Sequence, residues 1–347
     1  MREAKPTKPK ERSLVRPLVL LAVVGVGAGI LLWSKAGDAG GLGLSLPTAV
    51  QDFVTLTLSI MVEATPFVIL GALVSAAIRL YVPTQRIIAF LPQRPAFRRL
   101  WISFLGMFMP VCECGNVPVA RGLIFKGLSV PDSTTFLLAA PIINPVTLFA
   151  TSQAFRLDPS IVWLRLAGAL LIANLIGALI SLHKNPISLL GKSFQETLQA
   201  QDSHGEHHHD HHHGPRWQEG IGIFRDEVSL MLKVLCLGAV IAGLTQVFVP
   251  RDVLTSLGAH PVYSILAMLA LAFVVSICSN VDAFFALAYA STFTTGSIVA
   301  FLVFGPMVDI KMLAMMRTTY NTQLLAALTA IVALCSILIG LVVNFAL

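Results

Sequence analysis

The residues of this sequence that could do chemistry lie where such side chains are rare. The apolar run Leu100–Phe125 contains Pro110, Cys112, Glu113, Cys114, Gly115, Asn116, Pro118 and Arg121. Two prolines and a glycine within nine residues remove backbone donors and helical stiffness, so a helix is expected to break there. Backbone freed at membrane depth is tolerated only against protein or water, so the break is expected to line a cavity. A turn at the membrane surface is the plainer alternative, and Glu113 and Arg121 would be cheaper there. The thiols of Cys112 and Cys114, one residue apart, would close a strained ring as a disulfide. They are better suited to hold a thiophilic species such as trivalent arsenic or Cu(I).

The same pattern returns further along. Cys278, Asn280 and Asp282 follow about 16 apolar residues, a depth that no interfacial turn needs. Acids and amides are costly within a membrane and are functional candidates by default. A second pair of breaks falls at Pro141-Ile-Ile-Asn144-Pro145 and Gly305-Pro306-Met-Val-Asp309, each near the centre of its own apolar run. A central proline exposes carbonyls that can coordinate a cation and amides that can hold an anion; a simple kink is the other reading. Substrate-binding candidates are therefore Cys112, Cys114, Asn116, Asn144, Cys278, Asn280, Asp282 and Asp309. Only one thiol is kept in the second set, which excludes a symmetric four-thiol cage but lets Cys112, Cys114 and Cys278 converge.

These residues must be positioned by membrane helices. Of 347 residues, 56% are hydrophobic and only 12% charged, with a mean hydropathy of +0.79. A soluble domain carries about twice that charged share. Nine apolar runs approach the ~20 residues that a crossing needs: Leu18–Trp33, Phe53–Leu80, Leu100–Phe125, Ser133–Thr151, Ile161–Leu182, Glu227–Val249, Val262–Tyr289, Ser297–Met316 and Thr322–Phe345. None alternates with period two, which argues against a β-barrel. The fold class expected is an all-α polytopic membrane protein of about nine helices.

Three ordered matches indicate an internal duplication. Gly71-Ala72 with Val82-Pro83 recurs as Gly238-Ala239 with Val249-Pro250 at an offset of 167, Cys114–Val117 as Cys278–Val281 at 164, and Pro141/Asn144 as Pro306/Asp309 at 165. The expected organisation is a basic N-terminus over 1–17, a first helix and loop over 18–49, one repeat over 50–183, a His-rich linker over 184–224 and a second repeat over 225–347. Four full crossings per repeat would make the copies parallel, whereas a run that dips and returns would invert them. Arg156 and Arg165 favour the first and Lys184, Lys192 and Arg216 the second. The parallel arrangement is the one expected here.

Arg2, Lys5, Lys8, Lys10, Arg12 and Arg16 ahead of the first run place the N-terminus in the cytoplasm. The cluster Arg79, Arg86, Arg94, Arg98 and Arg99 is placed there too, so the net charge of +6 needs no nucleic acid. Cys236 and Cys335 read as packing residues. Glu63, beside Pro66, could carry a proton or pair with Arg121 or Lys311, and Glu113 and Lys311 are the other coupling candidates. Arg317 reads as snorkelling to the surface. The linker residues His207, His208, His209, His211, His212 and His213 could bind a divalent metal or simply belong to a solvated connection. No cofactor is expected. The partners are the bilayer, a small inorganic or organometalloid substrate, and an oligomer or partner subunit.

The motifs Pro-Val-Cys112-Glu-Cys114-Gly-Asn116-Val-Pro118, Ala-Pro141-Ile-Ile-Asn144-Pro145 and Ser-Asn280-Val-Asp282-Ala-Phe-Phe resemble the predicted-permease family that includes the organoarsenical efflux permeases and the YraQ-like proteins. The resemblance covers roughly residues 50 to 345. It implies a multi-pass inner-membrane permease, with metalloid binding carried onto Cys112 and Cys114. The His-rich tract is not part of that pattern and leaves room for a metal substrate. No Walker A or catalytic-triad motif appears, so an exporter of a thiophilic metalloid or metal is expected rather than an enzyme. The alternatives are a membrane thiol-redox protein using Cys112 and Cys114, and a membrane subunit of a multi-component permease.

Overall fold

The computed structural model describes residues 48–108, 112–205, 216–248 and 260–346. The first apolar run, Leu18–Trp33, and the imidazoles of the His-rich tract lie outside them. Among the described residues there is no strand, only one isolated antiparallel bridge between Leu190 and Tyr320. Six helical stretches are long and apolar enough to cross a membrane: Ala49–Tyr81, Val130–Ala154, Ser160–Ser181, Trp217–Val247, Thr295–Met316 and Thr322–Ala346. Leu, Ala, Val and Ile surround each of them, as suits helices that face both lipid and protein.

The first half begins with α1 (Thr48–Tyr81), followed by the short α2 (Thr84–Phe90) and α3 (Pro95–Ser103), which a 3₁₀ turn extends to Phe108. Then come α4 (Glu113–Phe125), α5 (Val130–Ile143), α6 (Pro145–Ala154) and α7 (Ser160–Ser181). In the linker lies α8 (Lys192–Gly205). The second half has α9 (Arg216–Phe248), α10 (Tyr263–Val275), α11 (Asp282–Leu287), α12 (Thr295–Met307), α13 (Ile310–Met316) and α14 (Thr322–Ala346).

The run Leu100–Phe125 is divided between α3 with its extension and α4. Arg98 on α3 pairs with Asp132 on α5 at 2.7 Å, and Gly106 packs against Ala140, so α3 and its extension run alongside α5 in the same direction. The next helix runs back: Ser133 Oγ donates to Ala120 O at 3.1 Å, and the Arg79 guanidinium lies 4.0 Å over the Phe125 ring. The chain therefore runs in from the basic side along α3 and its extension and returns toward that side along α4. The run Val262–Tyr289 does the same from the opposite side, where Ser264 and Thr294, at the starts of α10 and α12, meet hydroxyl to hydroxyl at 3.0 Å.

Among the described residues, three of the six long apolar stretches lie in each half, accompanied by a hairpin of shorter helices. The first helices of the halves lie antiparallel, with Gly220 against Leu80 at one end and Gly243 against Thr57 at the other. A hairpin that dips and a helix that crosses have the same hydropathy, so the apolar runs alone do not fix the number of crossings.

Close approach fixes the first hairpin against α1. A Cβ placed on Gly71 would stand 2.1 Å from the Gly115 carbonyl oxygen, a position that only glycine allows. The two proline-broken helices, α5–α6 and α12–α13, are the mostly buried members of the bundle, while only a minority of the residues of α1 and α14 are fully buried.

Candidate functional site

The tips of the two hairpins meet inside the bundle. α4 starts at Glu113 immediately after the turn, and α10 ends at Ser276, which holds φ 50° and ψ 45°. A left-handed serine is uncommon without a reason. Here the reversal turns its carbonyl toward Lys311, whose Nζ donates to Ser276 O at 3.3 Å.

Glu113 is the centre of the contact. Its Oε1 accepts from Lys311 Nζ at 2.9 Å, and its Oε2 accepts from Ser279 Oγ at 3.0 Å and from the Ser279 backbone N–H at 3.4 Å. Cys278 Sγ lies 3.8 Å from the same oxygen. Glu113 and Lys311, 198 residues apart in sequence, are both buried. An acid and an amine taken out of water persist together only when each meets a charged or hydrogen-bonding partner, and here both do.

Cys112 and Cys278, one from each hairpin, come close together, and Cys114 lies outside that group. Cys112, Cys114 and Cys278 are all buried free cysteines. One ligand atom each from Cys112, Glu113 and Cys278 lies within 4.8 Å of the others. Two soft sulfurs and one carboxylate oxygen suit a thiophilic centre of low coordination number better than a hard cation, which would demand more oxygens. Asn116, one turn into α4, is fully buried, and neither of its side-chain polar atoms has a hydrogen-bond partner among the described residues. A buried amide left so marks a place that a ligand or water would complete.

The breaks at Asn144 and Asp309 have a structural task. Asn144 Oδ1 accepts from the Val146 N–H at 2.9 Å and caps α6, and Asp309 caps α13 through the Met312 N–H. Each polar residue three places after its proline thus restarts the broken helix. The second oxygen of Asp309 has no hydrogen bond and lies 3.9 Å from Lys311 Nζ, which keeps Asp309 beside the cluster. Asn280 is half-buried and accepts from Thr147 Oγ1 at 3.2 Å, joining the second hairpin to α6.

Asp282 is held elsewhere. Its two oxygens accept from Arg165 NH1 at 3.0 Å and NH2 at 2.6 Å, and Arg165 NH1 also donates to Thr151 Oγ1 at 2.8 Å. Arg165, weighed in the sequence only as a topological charge, has no exposed surface and ties α7 to the second hairpin. Its signal was available: an arginine five residues into the apolar α7 needs a buried acid. On the basic side, Arg121 Nε pairs with Glu227 at 2.8 Å and NH1 donates to Thr318 O at 2.7 Å, while its guanidinium lies 4.5 Å over Phe194 of the linker helix. Glu63 joins neither Arg121 nor Lys311 and is exposed near the middle of α1. Ser276, Ser279 and Thr147 had no signal beyond their closeness to residues already singled out.

The family model described as predicted permease, ArsP_1, matches residues 49–345. A "Putative two-component membrane permease complex subunit" of Streptococcus mutans serotype c is 36% identical over 302 residues, which cover 86% of this chain and 97% of the relative. The "UPF0718 protein YcgR" of Bacillus subtilis is 38% identical over 282 residues, 80% of this chain and 92% of the relative. No solved structure gives a significant match. With a family match over most of its length and two relatives covered almost end to end, this multi-pass membrane chain belongs to the ArsP_1 family of predicted permeases.

Proposed function

We propose that this permease is a secondary exporter of a thiophilic metalloid or metal species, held where the two hairpin tips meet. The observation that carries the reading is the buried set Cys112, Glu113 and Cys278 within 4.8 Å, contributed by opposite halves of the chain. Cys114 and Asn116 stand beside it, and Asn144, Asn280, Asp282 and Asp309 position the elements around it. We read the halves as inverted copies of one unit, because the sequence offsets match elements that run in opposite senses. A site at the meeting of discontinuous helices from inverted halves is the usual geometry of alternating access. Lys311 occupies the Glu113 carboxylate, so an arriving electrophile would compete with an internal cation, and Glu113 and Lys311 are the coupling candidates. The side carrying Arg79, Arg86, Arg94, Arg98, Lys126 and Lys184 is read as cytoplasmic by its charge.

The test is transport in proteoliposomes against arsenite, methylarsenite, Cu(I), Zn²⁺ and small anions. A thiophilic substrate should be moved by the wild type and lost in Cys112→Ser and Cys278→Ser. If a substrate is moved equally well by both variants, the site is misplaced. A second reading, a subunit of a two-component permease, is favoured by the name carried by the streptococcal relative and by exposed Glu63 within α1. In that case the chain alone would transport nothing, and activity would return with its partner.

A further inference from the structure

A cavity of about 390 Å³ lies away from the thiol cluster, on the basic side. Its walls include Ile78 of α1, Val82 just after it, Ile102 and Leu105 of α3 and its extension, and Leu123 of α4. Arg86 of α2 is the one charged residue that lines it, and it is exposed. Trp101, 47% exposed, lines the cavity as well, and exposed Tyr81 directly precedes Val82 in sequence; both are aromatic residues of the kind found at headgroup depth. The cavity therefore reaches from a charged end among the arginines to apolar walls along the first hairpin. A helix, with a diameter of about 10 Å, does not fit a space of this volume.

We infer that this cavity binds an anionic phospholipid, its acyl chain along Ile78, Ile102 and Leu105 and its phosphate at Arg86. The apolar walls account for the chain. The arginine accounts for the headgroup, because a basic side chain at this surface gains from anionic lipid and gains little from a zwitterionic one. The bound lipid would fill the space between α1 and the re-entrant hairpin, bracing on its outer side the helix that carries Cys114 and Asn116. The inference stands independently of what the thiol cluster carries.

The test uses the full chain with Trp33, Trp163 and Trp217 replaced by Phe, so that Trp101 is the sole fluorophore. In neutral detergent micelles, phosphatidylglycerol with brominated chains should half-quench Trp101 at about fivefold lower mole fraction than brominated phosphatidylcholine, the preference expected from one basic group. Arg86→Gln should remove that preference. Leu105→Phe, which fills the cavity, should weaken quenching by both lipids, and Arg94→Gln, an exposed arginine that does not line the cavity, should leave the preference intact. Equal quenching by the two lipids, a preference that survives Arg86→Gln, or one lost equally in Arg94→Gln would overturn the assignment.

Discussion

Removing one partner of the Arg165–Asp282 pair should damage the fold more than removing both. The guanidinium has no exposed surface, the carboxylate is 3% exposed, and two hydrogen bonds of 3.0 and 2.6 Å join them. Asp282→Leu leaves a buried cation with only Thr151 as an acceptor, which costs about 3–5 kcal/mol, whereas replacing both partners by apolar side chains is often close to neutral. At ~2 °C per kcal/mol for a chain of this size or somewhat smaller, the single variant should unfold about 5–10 °C below wild type. Arg165→Met with Asp282→Leu should recover most of that loss. The assay is thermal unfolding in one detergent, followed by intrinsic fluorescence, for wild type, both single variants and the double variant. Single variants that unfold within about 2 °C of wild type, or a double variant no better than the worse single one, would refute the buried pairing; the ~2 °C limit corresponds to about 1 kcal/mol.

Other outcomes follow from the same contacts. Gly71→Leu should dislodge the first hairpin, because even a Cβ there meets the Gly115 carbonyl; the purified variant should show lowered thermal stability, and unchanged stability would contradict the close approach. Glu113→Gln keeps the shape but removes the charge opposite Lys311, so transport should fall by tenfold or more, the scale of losing ~1.4 kcal/mol, while the double variant Glu113→Gln, Lys311→Met should be the better folded of the two. Cys236→Ala and Cys335→Ala should each leave transport within about twofold of wild type, since neither thiol lies in the cluster and loss of a single sulfur from apolar packing is a small change. Deleting Gly205–Gly214 should leave the transport rate unchanged if the His-rich tract is only a connection; a changed response to Zn²⁺ would make it a metal sensor.

Much of the site was legible because polar residues in apolar runs have few innocent explanations. Pro110, Gly115 and Pro118 announced a break beside Cys112–Asn116, and the recurrence at Cys278–Asp282 located its counterpart. Depth and direction were not legible. Whether a run such as Leu100–Phe125 crosses or returns depends on contacts like Arg98–Asp132 and Ser133–Ala120, which hydropathy does not encode. Pairing was also hidden: Lys311 could have served Asp309, two residues away, or any buried acid, and only the folded chain selects Glu113 at 2.9 Å. The residues Asn144 and Asp309 were found for the right reason, a proline break, yet their immediate use is to cap the helices that resume after it.

The account rests on the two hairpin tips sharing a thiol pair, and a bifunctional thiol reagent tests this directly. Phenylarsine oxide condenses with two thiols, forming two As–S bonds and releasing one water. In a Cys114→Ser variant the remaining tip thiols are Cys112 and Cys278, from opposite halves of the chain. Mass spectrometry after proteolysis should then find the Cys112 and Cys278 peptides joined through one arsenic. Adducts confined to single peptides, with no bridge between the halves, would contradict the shared site.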